Sequence, residues 1–259
     1  MGLLDGRVAL VTGGGRGIGR GISERLASEG AAVAVNFRKD ADAAAETVAA
    51  IEAAGGVARS YGASVDDPDA DAAMVDAVLA DFGFVDLLVA NAGIASRGQS
   101  VADTDPGEVQ RVIATHAISA HHLARLVLPS MRQRSRGDIV MISSVATSSM
   151  NANGAPYNMA KAALEALAMT LAKEEQPNGI HVNVVAPGLV DTDMGVRLAR
   201  ALTGVRGIQV LTELDEGAPF GRVCQPDDIA AAVLWLCSAG AGYVTGQRIE
   251  VDGGGSPIR

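Results

Sequence analysis

Short β-rich runs alternate along this chain with longer helical patterns, and the runs are continuously apolar rather than alternating. Strands buried on both faces look like this. Arg7–Val11 leads through a glycine-rich turn into the helical Gly19–Glu29, and Ala32–Phe37 leads into the Ala-rich Asp40–Ala54. Asp86–Ala90, Asp138–Ile142, Gly179–Val185 and Gln247–Val251 read as further buried strands. Strands that alternate with helices pair in parallel through right-handed crossovers. The pattern therefore predicts an α/β fold, a doubly wound parallel sheet with helices on both faces. No linker, internal repeat or tract of like charge divides the chain, so residues 1–259 are expected to form a single domain. The least patterned stretch, Leu189–Phe220, is expected to be a lid over a site,.

Composition narrows the function classes. The chain carries 21 Lys and Arg against 30 Asp and Glu, a net charge of −9. A nucleic-acid binder needs a basic face, and so does a protein that docks on anionic lipid. Neither partner is expected. Aromatics make up only 3% of residues, so the core must be built from Ala, Val, Leu and Ile. Cys224 and Cys237 are too few for a disulfide framework or a four-ligand zinc site, and both read as packing residues in a reducing compartment,. No apolar run reaches the roughly 18 residues of a membrane span. The opening residues lack the basic region and long apolar stretch of a signal peptide. A soluble, cytoplasmic protein without a bound metal is expected.

Thr12-Gly13-Gly14-Gly15-Arg16-Gly17-Ile18-Gly19 lies between the first strand and the first helix. Glycine there lets the backbone approach a ligand closely. The helix that follows offers free N–H groups and the positive end of its dipole to a pyrophosphate. A plain tight turn has the same composition, but the strand–turn–helix context favours a dinucleotide site.

With these residues the chain resembles the short-chain dehydrogenase/reductase family. The resemblance is carried by Thr12-Gly13-x-x-x-Gly17-Ile18-Gly19, by Asn91-Ala92-Gly93 after a strand, and by Ser144 ahead of Tyr157-x-x-x-Lys161. Pro187-Gly188 with Thr192 downstream, and the closing Gly246-x-x-x-x-Val251-Asp252-Gly253-Gly254, extend it over essentially the whole chain. The resemblance implies a Rossmann-type sheet, a hydride transfer and a nicotinamide cofactor. It is nearest in general character to the 3-oxoacyl-thioester reductases.

Tyr157 and Lys161 are spaced to share one helix face, and Pro156 suits a first helical turn,. A tyrosine of pKa about 10 is a poor acid or base at neutral pH, and a nearby ammonium lowers that value. The pair is thus a sensible general acid/base unit. The resemblance implies that Tyr157 exchanges the proton with the substrate oxygen. It also implies that Lys161 lowers the tyrosine pKa and binds the nicotinamide ribose, while Ser144 polarises the substrate carbonyl. The backbone from Pro187 and Gly188 to Val190, with Thr192, would hold the carboxamide. Spacing favours Ser144 over its neighbour Ser143.

Many family members carry an Asn on the preceding helix, and here the register anchored on Val109–Met131 puts His116 in its place. Histidine donates and accepts hydrogen bonds, so His116 either sustains the proton relay or is a plain helix residue. His121 and His122 read as surface or interface residues. At the end of the second strand, NAD enzymes usually place an acid to hold the ribose 2′-hydroxyl. Here Phe37 stands there, followed by Arg38, with Arg16 inside the turn. Two guanidinium groups suit a 2′-phosphate, so NADP(H) is favoured over NAD(H). Ser64-Val65 stands where relatives have an Asp near the adenine, and Ser64 can still bond the ring. Gly13, Gly15, Gly17, Ile18, Gly19, Asn91, Ala92 and Gly93 complete the expected cofactor site.

The lid says little about substrate. Arg197, Arg200 and Arg206 suit either an anionic carrier arm or the polar side of an ordinary helix,. The small apolar run Ala162–Ala172 and Trp235 are compatible with a homotetramer or homodimer. The expected activity is reduction of a ketone or 3-oxoacyl carbonyl by NADPH. The alternatives are an NAD-dependent dehydrogenase of a sterol, sugar or polyol, and a nucleotide-binding protein without turnover.

Overall fold

In a computed structural model, which describes residues 2–203 and 207–255, the strands are β1 (Val8–Val11), β2 (Ala32–Phe37), β3 (Val57–Gly62), β4 (Leu87–Ala90), β5 (Gly137–Ile142), β6 (Ile180–Pro187) and β7 (Arg248–Val251). Among the described residues they form one parallel sheet in the order β3-β2-β1-β4-β5-β6-β7. The helices are α1 (Gly17–Ser28), α2 (Ala41–Ala53), α3 (Pro68–Phe82), α4 (Pro106–Ile113), α5 (Ser119–Met131), α6 (Ala146–Ser149), α7 (Ala155–Glu175), α8 (Asp193–Thr203) and α9 (Pro226–Cys237). A π-helical segment, Ala114–Ile118, joins α4 to α5.

The continuous apolar runs are explained by two cores, one on each face of the sheet. Along β1, Leu10 enters one core while Ala9 and Val11 enter the other, and along β5 Ile139 and Met141 oppose Val140 and Ile142. One core is closed by Met74 and Val78 of α3, Leu123 and Val127 of α5, and Leu164 and Ala168 of α7. The other is closed by Ile22 and Leu26 of α1, Ile51 of α2, and Ile229 and Val233 of α9. Alanine at many of these positions lets helices sit close on the sheet in place of bulky aromatics. Cys237 packs in the second core. Cys224 is partly buried, and burial pushes its thiol up to about 12.

The anticipated strand starts are trimmed by their charges. Arg7 donates to Asp138 at 2.8 Å and to the Cys237 carbonyl at 3.0 Å, and Asp86 accepts from the Val8 amide at 3.0 Å. These groups close the N-terminal ends of β1, β4 and β5, at the opposite end of the strands from the loops that follow. β3 was not legible as a strand because it is the edge: only Ala58 is buried, and Arg59 and Ser60 face outward. The strand order reverses between β1 and β4, which opens a crevice beyond their carboxyl ends,.

Candidate active site

The crevice is lined by the turn after β1 and the turn after β4, and the two are tied together. Thr12 Oγ1 accepts from the amides of Asn91 (3.0 Å) and Ala92 (2.9 Å), and Asn91 Nδ2 donates to the Thr12 carbonyl at 2.8 Å. Gly13 and Gly17 adopt φ of +60° and +52°, a region that favours glycine,. No side chain caps the N-terminus of α1, and its first turn holds no acid, so its N–H groups are left for an anion,. A Cβ on Gly17 would lie 3.2 Å from the Thr192 methyl, so the entrance to the lid abuts the glycine turn. Asn36 was not singled out from sequence. It accepts from the Gly13 amide at 3.2 Å and donates to the Ala63 carbonyl at 3.1 Å, knitting the turn to β3.

Ser144, Tyr157 and Lys161 come together at the ends of β5 and α7. Pro156 starts α7, and the next turn brings Tyr157 and Lys161 onto one face, with Lys161 Nζ 5.7 Å from the tyrosine ring centre. Ser144 lies close enough to Tyr157 to lower the tyrosine pKa, and its Oγ accepts from the Ala146 amide at 3.2 Å. Ser143 is buried instead against α7 and donates to Glu165 at 2.5 Å, which separates the two serines. Lys161 is buried and donates to the Ile142 carbonyl at 2.6 Å. Burial lowers its pKa to about 7, and the Glu165 carboxylate opposes that fall. The tyrosine departs from the sequence expectation. Burial raises its pKa, and the neighbouring Ser144 hydroxyl draws it part of the way back,.

His116 lies in the π-helical segment and is buried. π-Bulges recur at functional sites because they break the regular backbone ladder. Its Nε2 is 2.9 Å from the Ile94 carbonyl and 3.2 Å from the Ile94 amide. With the proton on Nε2 the ring donates to the carbonyl and Nδ1 is a lone-pair acceptor; with the proton on Nδ1, Nε2 accepts from the amide; in both, Nδ1 is buried without a hydrogen-bond partner,. Burial, and then the charge of Lys161, lower the imidazole pKa to about 3. His116 is therefore neutral at physiological pH. A Cβ on Gly93 would fall 2.4 Å from His116 Cε1, so the imidazole fills space that only glycine at 93 leaves open.

At the adenosine end, the Phe37 ring lies against Gly62 of β3. Arg16 and Arg38 are exposed, and Arg16 is 4.0 Å from Asp40, the N-cap of α2. Arg38 enters no ion pair among the described residues. Ser64 donates to Asp66 at 2.5 Å, so only its lone pairs remain for a ring, and Val65 is buried. Gly188 closes on Asp252, and Val190 forms a bridge with Cys224. The anticipated lid is more ordered than its sequence pattern indicated. Ala199, Ile208, Leu211 and Val223 form a small core of their own under α8. Arg200 donates to the Ile208 carbonyl at 2.6 Å, which serves the lid itself. Arg197 is exposed, and Arg206 lies outside the described residues. His121 and His122 stack edge to face on each other, with ring centres 6.0 Å apart.

A family model described as enoyl-(acyl carrier protein) reductase matches residues 13–256. This chain is a short-chain dehydrogenase/reductase. The short-chain reductase protein NovJ of Streptomyces niveus is 40% identical over 95% of this chain and 93% of its own length. The 3-oxoacyl-[acyl-carrier-protein] reductase FabG of Haemophilus influenzae is 36% identical over 97% of this chain and 98% of its own. Among solved structures, a 7α-hydroxysteroid dehydrogenase complexed with NADH and 7-oxoglycochenodeoxycholic acid superposes with a TM-score of 0.86, at 34% identity, over 99% of this chain and 97% of that one. Short-chain dehydrogenase/reductases are oxidoreductases that act on carbonyl and hydroxyl groups with nicotinamide cofactors. No helix among the described residues of this one is long and apolar enough to cross a membrane. Asn36, Glu165 and Arg248 are the site-supporting residues that sequence reasoning passed over. Each acts through contacts between segments far apart in the chain, which no local spacing reveals.

Proposed function

We propose that the chain is an NADPH-dependent reductase of a ketone or 3-oxoacyl-type carbonyl, with Tyr157 as general acid. The observation that carries this reading is the meeting of Ser144 and Tyr157 beside the buried Lys161, whose Nζ lies 5.7 Å from the tyrosine ring centre. The chain's own residues fit a dinucleotide. The uncapped α1 N-terminus and the left-handed Gly13 and Gly17 make a pyrophosphate cradle, joined by Gly15, Ile18 and Gly19. Arg16 and Arg38 would take a 2′-phosphate beside Phe37, with Ser64 and Val65 near the adenine and Asn91, Ala92 and Gly93 along the floor. Pro187, Gly188, Val190 and Thr192 would hold the carboxamide end. The bound nicotinamide supplies the hydride.

Ser144 donates to the substrate oxygen and polarises the carbonyl. Tyr157 gives that oxygen its proton. Lys161 carries positive charge next to the tyrosine as the phenolate forms, and it grips the ribose. His116 offers Nδ1 as an acceptor for a water that leads protons toward Lys161. The 3-oxoacyl class is supported by the likeness to FabG.

A second reading, an NAD-dependent alcohol dehydrogenase, is favoured by one feature. Asp40 stands 4.0 Å from Arg16 and opposes a phosphate there. We further propose a single catalytic domain working in the reducing cytoplasm as a homotetramer. The exposed apolar Ile118, Met159 and Trp235 support the assembly, and sedimentation velocity tests it.

The deciding experiment compares turnover of NADPH and NADH against a panel of ketones and acetoacetyl thioesters, with Tyr157→Phe as control. NADPH-linked activity that falls by about 10²-fold or more in the variant is expected. A preference for NADH would overturn the reading of Arg16 and Arg38, and full activity of Tyr157→Phe would overturn that of the acid.

A further inference from the structure

The loop that carries Ser144 is held from two sides by an ion pair to which the mechanism above gives no part. Glu165 lies one helical turn beyond Lys161 on α7. Its carboxylate accepts from Ser143 Oγ at 2.5 Å, Thr147 Oγ1 at 2.8 Å and Arg248 Nε at 2.9 Å. Arg248 comes from β7, the edge strand, and its Nη2 donates to the Ser144 carbonyl at 3.2 Å and to Thr147 Oγ1 at 2.8 Å. A further guanidinium nitrogen is bonded to Glu250, which accepts from Ser148 Oγ at 2.7 Å. Residues before and after Ser144, and its own carbonyl, are thereby fixed to α7 and β7. Both side chains of the pair are largely buried, 17% and 20% exposed, so the pair is only weakly screened,.

We propose that Glu165 and Arg248 are positioning residues for the reaction: together they hold Ser144 against Tyr157, and Glu165 supplies the anion that keeps Lys161 charged. The proposal rests on the reading of Ser144, Tyr157 and Lys161 as the reacting group. Two effects follow from one pair. Holding Ser144 keeps its hydroxyl near Tyr157, where it draws the tyrosine pKa down. The Glu165 charge offsets the burial that would strip Lys161 of its proton, and the ammonium in turn favours the phenolate. The charged and titratable groups facing this pair are Lys161 and Tyr157 from α7, His116 from the π-helical segment, and Glu250 from β7. His116 is neutral and Glu250 is spent on Arg248, which leaves Glu165 as the anion that bears on Lys161.

The test is spectrophotometric titration of the Tyr157 phenolate in the full chain saturated with NADP+, with the Tyr157→Phe titration subtracted to remove Tyr61 and Tyr243. The pH dependence of kcat for oxidation of a 3-hydroxybutyryl thioester is the second readout. Glu165→Gln keeps an oxygen acceptor for Ser143 and Thr147 and removes only the charge. Arg248→Met removes the clamp on Ser144. In each, the Tyr157 titration and the rising limb of kcat are expected to move to higher pH by about half a unit or more. Arg248→Lys should restore part of the shift, and the Kd for NADP+ should change little. If either primary variant folds poorly, Glu165→Ala and Arg248→Gln remove the same charges and provide the comparison. A lower Tm with an unmoved Tyr157 titration would overturn the proposal and leave the pair as a brace of the fold. The two readings fail separately: full turnover in Tyr157→Phe refutes the reaction assignment, whereas a wild-type titration in Glu165→Gln refutes only the positioning role.

Discussion

The imidazole of His116 meets the ring of Tyr157 edge to face, with centres 5.4 Å apart and planes at 86°. The contact places a neutral histidine, with a buried and unpartnered Nδ1, against the proposed acid. If that nitrogen passes protons, His116→Ala lowers kcat about 10- to 100-fold with little change in the Kd for nucleotide, and His116→Asn retains most of the rate. Steady-state kinetics beside fluorescence titration of NADPH separate the two effects.

The same burial sets a stability dependence. The folded-state pKa of His116, about 3, lies below its unfolded value of about 6.5,. The unfolded chain therefore binds more protons between these values, so this contribution is complete above pH 6.5 and is lost as pH falls toward 3. His116→Asn should flatten the loss of Tm with acid in that window, measured against wild type in a melting series from pH 7 to pH 4.

Asp71 on α3 acts in the opposite sense. Its carboxylate is fully buried, and neither oxygen has a hydrogen-bond partner among the described residues. Burial, and then Asp67 and Asp66, raise its pKa to about 7. The folded state holds the proton that the unfolded state releases above about pH 4. Stability from this group is thus present at low pH and lost as pH rises through 7. Asp71→Asn should raise Tm by a few degrees at pH 8, a gain of about 1–2 kcal/mol, and should do little at pH 4. An equal effect at both pH values would contradict the assignment.

In the proposed reading the exposed guanidinium groups of Arg16 and Arg38 select the nucleotide. Charge-assisted hydrogen bonds contribute about 1.5–3 kcal/mol each, so Arg38→Ala should raise the KM for NADPH about 10-fold or more and leave that for NADH nearly unchanged. Asp40→Asn retains an acceptor for the α2 cap yet removes the charge 4.0 Å from Arg16,. It should tighten NADPH severalfold. Initial rates with both nucleotides at matched ionic strength check each change.

Gly17 is bound by conformation and by space. Its φ of +52° disfavours a side chain, and a Cβ would lie 3.2 Å from the Thr192 methyl. Gly17→Ala should cost about 1–2 kcal/mol and weaken nucleotide binding more than it lowers Tm, because the strain falls on the pyrophosphate cradle. Differential scanning fluorimetry with and without NADPH resolves the two.

Periodicity and local motifs determined much of this protein. Runs such as Val8–Val11 and Ile139–Ile142 must be buried on both faces, and helices between such strands impose parallel pairing, so the doubly wound sheet was legible in one dimension,. The glycine turn and the Tyr157–Lys161 spacing were legible because each needs only neighbours within a turn or two of chain. Strand β3 was not, since it buries one residue in six, and β7 at the other edge, anticipated as a buried strand, has no fully buried residue. Spacing favoured Ser144 over its neighbour Ser143, and the packing of α7 on β5 gives the physical reason: it sends the Ser143 hydroxyl to Glu165 and leaves Ser144 beside the tyrosine. The tertiary structure alone decided the electrostatics. Burial sets the proton affinities of His116, Tyr157 and Lys161, and burial depends on what the folded chain lays over a residue, which no spacing in the sequence encodes,.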